Sequence, residues 1–488
     1  MPRTFTQRRS GVLLHPSSLP DGEQRGVLGD EAVRFLDFLA GAGFGTWQML
    51  PVNAIEHHCG SPYQATSVHA GNVRFLCLKD LVSRGWLDEV SYEKRRNLPI
   101  GDCISATRQG FQRAASEGDR RDYQDFLNRH DDWLEDYALY AVIKDVEEQR
   151  PWWLWPAALA RGESATLEEF GALHHGAIED YRFEQYLFFR QWENLRRKAR
   201  ERNILLFGDM PLFVAHDSVD VWANQQCFQL DEHGQSTVVA GVPPDYFSAT
   251  GQRWGNPIYN WECMRADGFR WWLSRLRTHL EHFDIVRLDH FRGIASYWEI
   301  PAHCATAVGG RWVDAPGREL LAAMAREFGD LPLVAEDLGT ASPEMLKLRD
   351  DFELPGMMVL QFAFDSDAKN PYLPHNHVRN SVVYTGTHDN NTSLGWFYGL
   401  NEERQKRVLE YLLYPQDVMP WPLLQAALGS VAHTAILPMQ DLLGLDGSHR
   451  MNTPGTTVNN WLWKFDWEWI SPDLVGRLNH LNRLYGRC

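Results

Sequence analysis

Three carboxylic acids stand where runs of aliphatic and β-branched residues end: Asp289 in FDIVRLDHFRG, Glu336 in LPLVAEDLGT and Asp389 in SVVYTGTHDNN. Acids of this kind can cleave the acetal bond between two sugars. One carboxylic acid protonates the departing oxygen, and a carboxylate facing it attacks the anomeric carbon. Asp289 and Glu336 close two strand-like runs separated by one further candidate strand, which would let them face each other across a barrel mouth. Asp389 is a third acid, suited to gripping sugar hydroxyls more tightly as the ring flattens in the transition state.

Eight short runs read as strands: 11–14, 46–50, 204–209, 284–289, 296–300, 333–337, 357–362 and 382–386. Several are continuously apolar, as strands of a parallel sheet buried on both faces are. Helical patterns lie between them. Ser342-Pro343-Glu344 carries a helix start, and Asp267 precedes the amphipathic FRWWLSRLRTHLEHF. Alternating strand and helix predicts an α/β fold, a (β/α)8 barrel whose reactive groups lie at the C-terminal ends of the strands. Two segments exceed a minimal barrel and leave the chain one catalytic unit over 1–488. Residues 73–203 read as a mostly helical insertion serving as scaffold or interface. Residues 222–261, dense in Gly, Pro and aromatics, read as a substrate loop overhanging the barrel mouth.

The 488 residues include 20 Trp, 16 Tyr and 24 Phe, many of them in Gly/Pro-rich segments where ring faces would suit a sugar. A net charge of −16 opposes binding to nucleic acid or anionic membrane. Neither a membrane-spanning run nor a signal-peptide h-region is evident. Seven scattered Cys without a Cys-x-x-Cys pair fit a reducing cytosol and argue against structural zinc. No cofactor or metal is expected.

The strings SGVLLHPSSLP, GDMPLFVAHDSVDVWAN, GVPPDYFSATGQRWGNPIYNW, RLDHFRG, AEDLGTASPE, YTGTHDNNTSLGWF and RMNTPGTTVNNWLWKF together resemble, in matching order, the motif set of the amylomaltases. These are the 4-α-glucanotransferases, or disproportionating enzymes, of glycoside hydrolase family 77, relatives of the α-amylases. The resemblance implies a retaining double displacement on maltodextrins, with Asp289 as nucleophile, Glu336 as general acid/base and Asp389 as transition-state stabiliser. Arg287 matches a family arginine expected to hold Asp289 charged. His388 matches a family histidine expected to donate a hydrogen bond to the sugar, Asp209 an acid at the end of the third strand, and Tyr63 a tyrosine lining the site beside the cleaved bond. Asp245, Tyr246, Phe247, Gln252 and Trp254 match a lid over the glucan groove, which would favour a sugar acceptor over water. The segments RGVLGDEAVRF and VNAIEHHCG depart from the family pattern.

Other readings weigh against some of these residues. Asp337 suits a structural role as well as a sugar contact. His15 and His216 read as structural or rim histidines, and the His57-His58 pair lacks spaced metal partners. Trp222, Trp261, Trp271 and Trp272 read as packing, which leaves Trp254 as the best stacking candidate. An α-glucan hydrolase of the amylase type uses the same three acids, and a catalytically silent glucan-binding protein would lack one of them.

Overall fold

A computed structural model describes residues 5–20, 28–55, 60–95, 100–244, 248–339 and 342–488. Eight parallel strands form the barrel: β1 (Arg9–Leu13), β2 (Thr46–Gln48), β3 (Leu205–Met210), β6 (Ile285–Leu288), β9 (Leu333–Ala335), β10 (Gly356–Val359), β11 (Ser381–Tyr384) and β12 (Thr434–Pro438). Their spatial order is β10-β11-β12-β1-β2-β3-β6-β9. At the remaining seam the Ala335 N–H donates to Pro355 O at 2.8 Å, and the Met357 N–H donates to Asp337 Oδ1, also at 2.8 Å.

Both faces of these strands are apolar, which explains their continuous hydrophobic runs. Phe207, Ile285, Val334, Val382, Tyr384 and Ile436 fill the barrel interior in one cluster. Their sequence neighbours Leu206, Val286, Leu333, Val383 and Ala435 pack outward against the helices. The interior is therefore a packed core, and the open mouth is where polar residues take over.

Two expectations about the strands need correction. The run SYWEI does not enter the barrel: it is β7 (Ser296–Pro301), antiparallel within a second sheet ordered β5-β4-β7-β8, together with β4 (Val238–Val242), β5 (Gln252–Pro257) and β8 (Arg311–Asp314). The eighth barrel strand is instead TAILP (434–438), which joins β11 to β1. Consequently β6 and β9 are direct neighbours, with no strand between the two that carry Asp289 and Glu336.

The second sheet is built from chain leaving the C-terminal ends of β3 and β6, so it belongs to the mouth side. Part of the aromatic-rich stretch expected as loop is thus paired strand, and a short helix, Val219–Ala223, runs into its start. Between β2 and β3 the chain is mostly helical, ending in the 27-residue helix His175–Glu201. Arg196 on this helix pairs with Asp284 at 3.0 Å, just before β6. Ser342 caps Pro343–Asp351 by accepting from the Met345 N–H, as its pattern predicts. Among the described residues, no helix is long and apolar enough to cross a membrane.

Candidate active site

The register of three neighbouring strands assembles the site. Asp209 on β3 is paired directly with Arg287 on β6, so both side chains point into the barrel. Leu288 is paired with Ala335, and the Glu336 N–H donates to Leu288 O at 3.0 Å, which carries the ladder one step past the strand ends. Asp289 and Glu336 are therefore in register at the mouth. Neighbouring strands run about 4.8 Å apart, so the two carboxyl-bearing residues stand one interstrand step from each other.

Arg287 is the buried centre of the charge network. Its Nη1 donates to Asp209 Oδ1 and Oδ2 at 2.9 and 2.7 Å, and its Nη2 lies 2.7 Å from Asp289 Oδ1. Burial alone would lower its pKa, but Asp209 and Asp289 outweigh this and hold it firmly cationic. Tyr63 donates its hydroxyl proton to Asp209 Oδ2 at 2.7 Å and lies 2.8 Å from His388 Nε2, with the two rings stacked.

His388 Nε2 also stands 3.3 Å from Asp389 Oδ2. Burial disfavours the imidazolium, yet Asp389 outweighs it and raises the His388 pKa. The reciprocal effect appears at Asp389. Withdrawal into the cleft disfavours its charge, but His388 and a 2.6 Å bond from Asn452 Nδ2 hold its carboxyl well below the usual range.

Glu336 is treated oppositely. Burial pushes its carboxyl up to about 7; Arg287 opposes the rise and Asp289 adds to it. Two backbone N–H groups orient it, His290 to Oε2 at 2.8 Å and Leu338 to Oε1 at 3.0 Å. His290 achieves this from a left-handed conformation, φ 50°, which is uncommon for a residue with a side chain.

The remaining sequence candidates divide. Trp254 lies on β5, 36% exposed, edge-on to His290 at 4.8 Å, and its Nε1 donates to Gln252 Oε1 at 3.1 Å. Asp337 is buried away from the mouth: its oxygens take the Met357 N–H and Arg349, which ties the β9–β10 seam. His15 is buried with its pKa lowered to about 3. Asp245, Tyr246, Phe247, His57 and His58 lie outside the described residues.

Sequence reasoning did not single out Asn452, Arg450, Trp461 or His290. Arg450 donates to Asp389 O at 2.9 Å, and Trp461 packs against Tyr63 and His388 at 5.7 and 6.0 Å. The signal for three of them was present in RMNTPGTTVNNW, a motif that carries no strand-end acid to draw attention to it.

A family model described as 4-alpha-glucanotransferase matches residues 14–469. The chain belongs to the 4-alpha-glucanotransferase family. Its relatives include the 4-alpha-glucanotransferase of Thermus thermophilus, 44% identical over 98% of this chain and 98% of that protein. The 4-alpha-glucanotransferase of Synechocystis sp. is 43% identical, covering 99% of this chain and 98% of the relative. Among solved structures, an amylomaltase from Streptococcus agalactiae in complex with acarbose superposes with a TM-score of 0.92 at 34% identity, over 99% of this chain and 100% of that one. An amylomaltase from Corynebacterium glutamicum, 18% identical with a TM-score of 0.76, shares the fold over 98% of this chain and 74% of its own length. The barrel is thus that of the 4-alpha-glucanotransferases.

Proposed function

We propose that this 4-alpha-glucanotransferase moves α-1,4-glucan segments between maltodextrins by a retaining double displacement, with no cofactor. Asp289 attacks the anomeric carbon while Glu336 gives its proton to the departing glucan oxygen. A covalent glycosyl-enzyme results. Glu336, now a carboxylate, takes the proton of an incoming sugar hydroxyl as that oxygen displaces Asp289, so configuration is restored. Asp389 and His388 grip hydroxyls of the sugar at the cleavage point, and Arg287 holds Asp289 and Asp209 in place. Trp254, supported by Gln252, offers a ring face to the acceptor.

The observation that carries this reading is the register of β6 and β9, which sets Asp289 and Glu336 one interstrand step apart. Retaining enzymes hold their two carboxyls about 5–5.5 Å apart, whereas inverting enzymes leave a wider gap for water.

Incubation with maltotriose alone tests the reading by thin-layer chromatography. Transfer yields a ladder of glucans longer than the substrate, together with glucose; shorter products alone identify a hydrolase and overturn it. Cyclic products are expected where a donor segment closes on its own end.

A further inference from the structure

We infer that Trp153 and His216 form a distal acceptor subsite, which binds a glucosyl ring of a maltooligosaccharide acceptor remote from the reacting end. This rests on the transfer reading above and adds to it a determinant of acceptor length.

A cavity of about 320 Å³ is lined by Gln64, Trp153, His216, Asp217, Trp254 and Asn256, among others. One end is contiguous with the catalytic mouth, since Gln64 follows Tyr63 and Trp254 packs edge-on to His290. The direction of the cavity follows from the acid. Glu336 must reach the departing oxygen, so the sugar beyond the cleaved bond adjoins Glu336. His290 donates its N–H to that carboxyl, and Trp254 stands on His290. The cavity therefore extends the acceptor side.

At the far end lies Trp153, contributed by the helical segment between β2 and β3. Its indole is stacked on His216, with ring centroids 4.0 Å apart and planes inclined by 13°. Trp152 meets both rings edge-on, at 5.7 and 5.8 Å. The platform is fixed before any ligand arrives. His216 Nε2 is bonded to Gly234 O at 2.8 Å, and Trp152 Nε1 donates to His216 O at 2.8 Å. Asp217 is occupied as scaffold: Lys144 Nζ, the Tyr140 hydroxyl and the Trp152 N–H converge on its carboxylate.

What remains toward the cavity is a half-buried indole beside Gln64 and Asn256, whose Nδ2 donates to Val214 O at 2.7 Å: an apolar face with polar edges. Such a surface suits the C–H face of a pyranose ring, and the volume sits near the lower end of the roughly 300–1,000 Å³ range of small-molecule sites. Because the cavity continues the groove, its occupant is further glucan rather than a separate ligand.

The test uses the full chain with a fixed maltodextrin donor and the acceptors glucose, maltose, maltotriose and maltotetraose. Glucose, a single ring at the cleavage point, is expected to leave Trp153 uncontacted. For Trp153→Ala, acceptor kcat/KM for maltotriose and maltotetraose is expected to fall about three- to tenfold, the range of one aromatic contact. The loss should appear in KM, with transfer to glucose spared. Trp153→Phe should recover most of it. A loss equal at every acceptor length, or none at any length, overturns the subsite. Absence of transfer by the unaltered protein would overturn the functional reading itself, a result distinct from either.

Discussion

Glu336 accepts two backbone N–H bonds, which favour its charged form, yet burial beside Asp289 raises its carboxyl to about 7. An acid that protonates a leaving glucan must hold its proton, so the raised value suits the role proposed for Glu336 in the first half-reaction. The sign follows directly: below about pH 7 the proton is present, and as pH rises through that value the competent fraction falls. The kcat/KM profile with maltotriose is expected to bend downward near pH 7 on its alkaline side. A plateau through pH 9, or a bend near the ordinary glutamate value, would contradict the assignment. Asp389 faces the other demand. His388 and Asn452 occupy one oxygen each and keep it charged.

At the scale of elements, the strands were legible wherever two apolar faces produced an unbroken run, as in FDIVRLD and SVVYTG. SYWEI misled because an antiparallel strand on a small sheet carries the same aliphatic and aromatic residues; only its partners, β4 and β8, distinguish it. TAILP escaped notice because its apolar run is only three residues, Ala435–Leu437, between Thr434 and Pro438. Its placement closes the circle between β11 and β1. Asp337 was ambiguous in sequence for a physical reason: a carboxylate beside Glu336 looks like a sugar ligand until Arg349 and the Met357 N–H are seen to claim it. Removing Asp337 strands the buried Met357 N–H, while Arg349 keeps its bonds to Asp350, at a cost of about 1–3 kcal/mol. Asp337→Ala is therefore expected to lower the unfolding free energy in urea by roughly that amount, through the β9–β10 seam. An unchanged urea midpoint with impaired sugar binding would instead make Asp337 a ligand residue.

Over the whole molecule, the barrel, the helical segment before β3 and the antiparallel sheet each contribute to one cleft. The acids proposed as catalytic were legible because strand-end position and family-like strings coincide at Asp289, Glu336 and Asp389. Asn452, Trp461 and His290 were not, since their roles depend on backbone reach and on contacts between segments far apart in the chain. The central claim is that Asp289 becomes covalently glycosylated while Glu336 moves the proton. Fluoride departs from a maltosyl fluoride donor without a proton from Glu336, so Glu336→Gln can still form the intermediate but lacks the base to discharge it. Peptide mass mapping of that variant after incubation is predicted to find the glycosyl group on the peptide bearing Asp289. An adduct on another residue, or none under conditions where fluoride is released, would contradict the account.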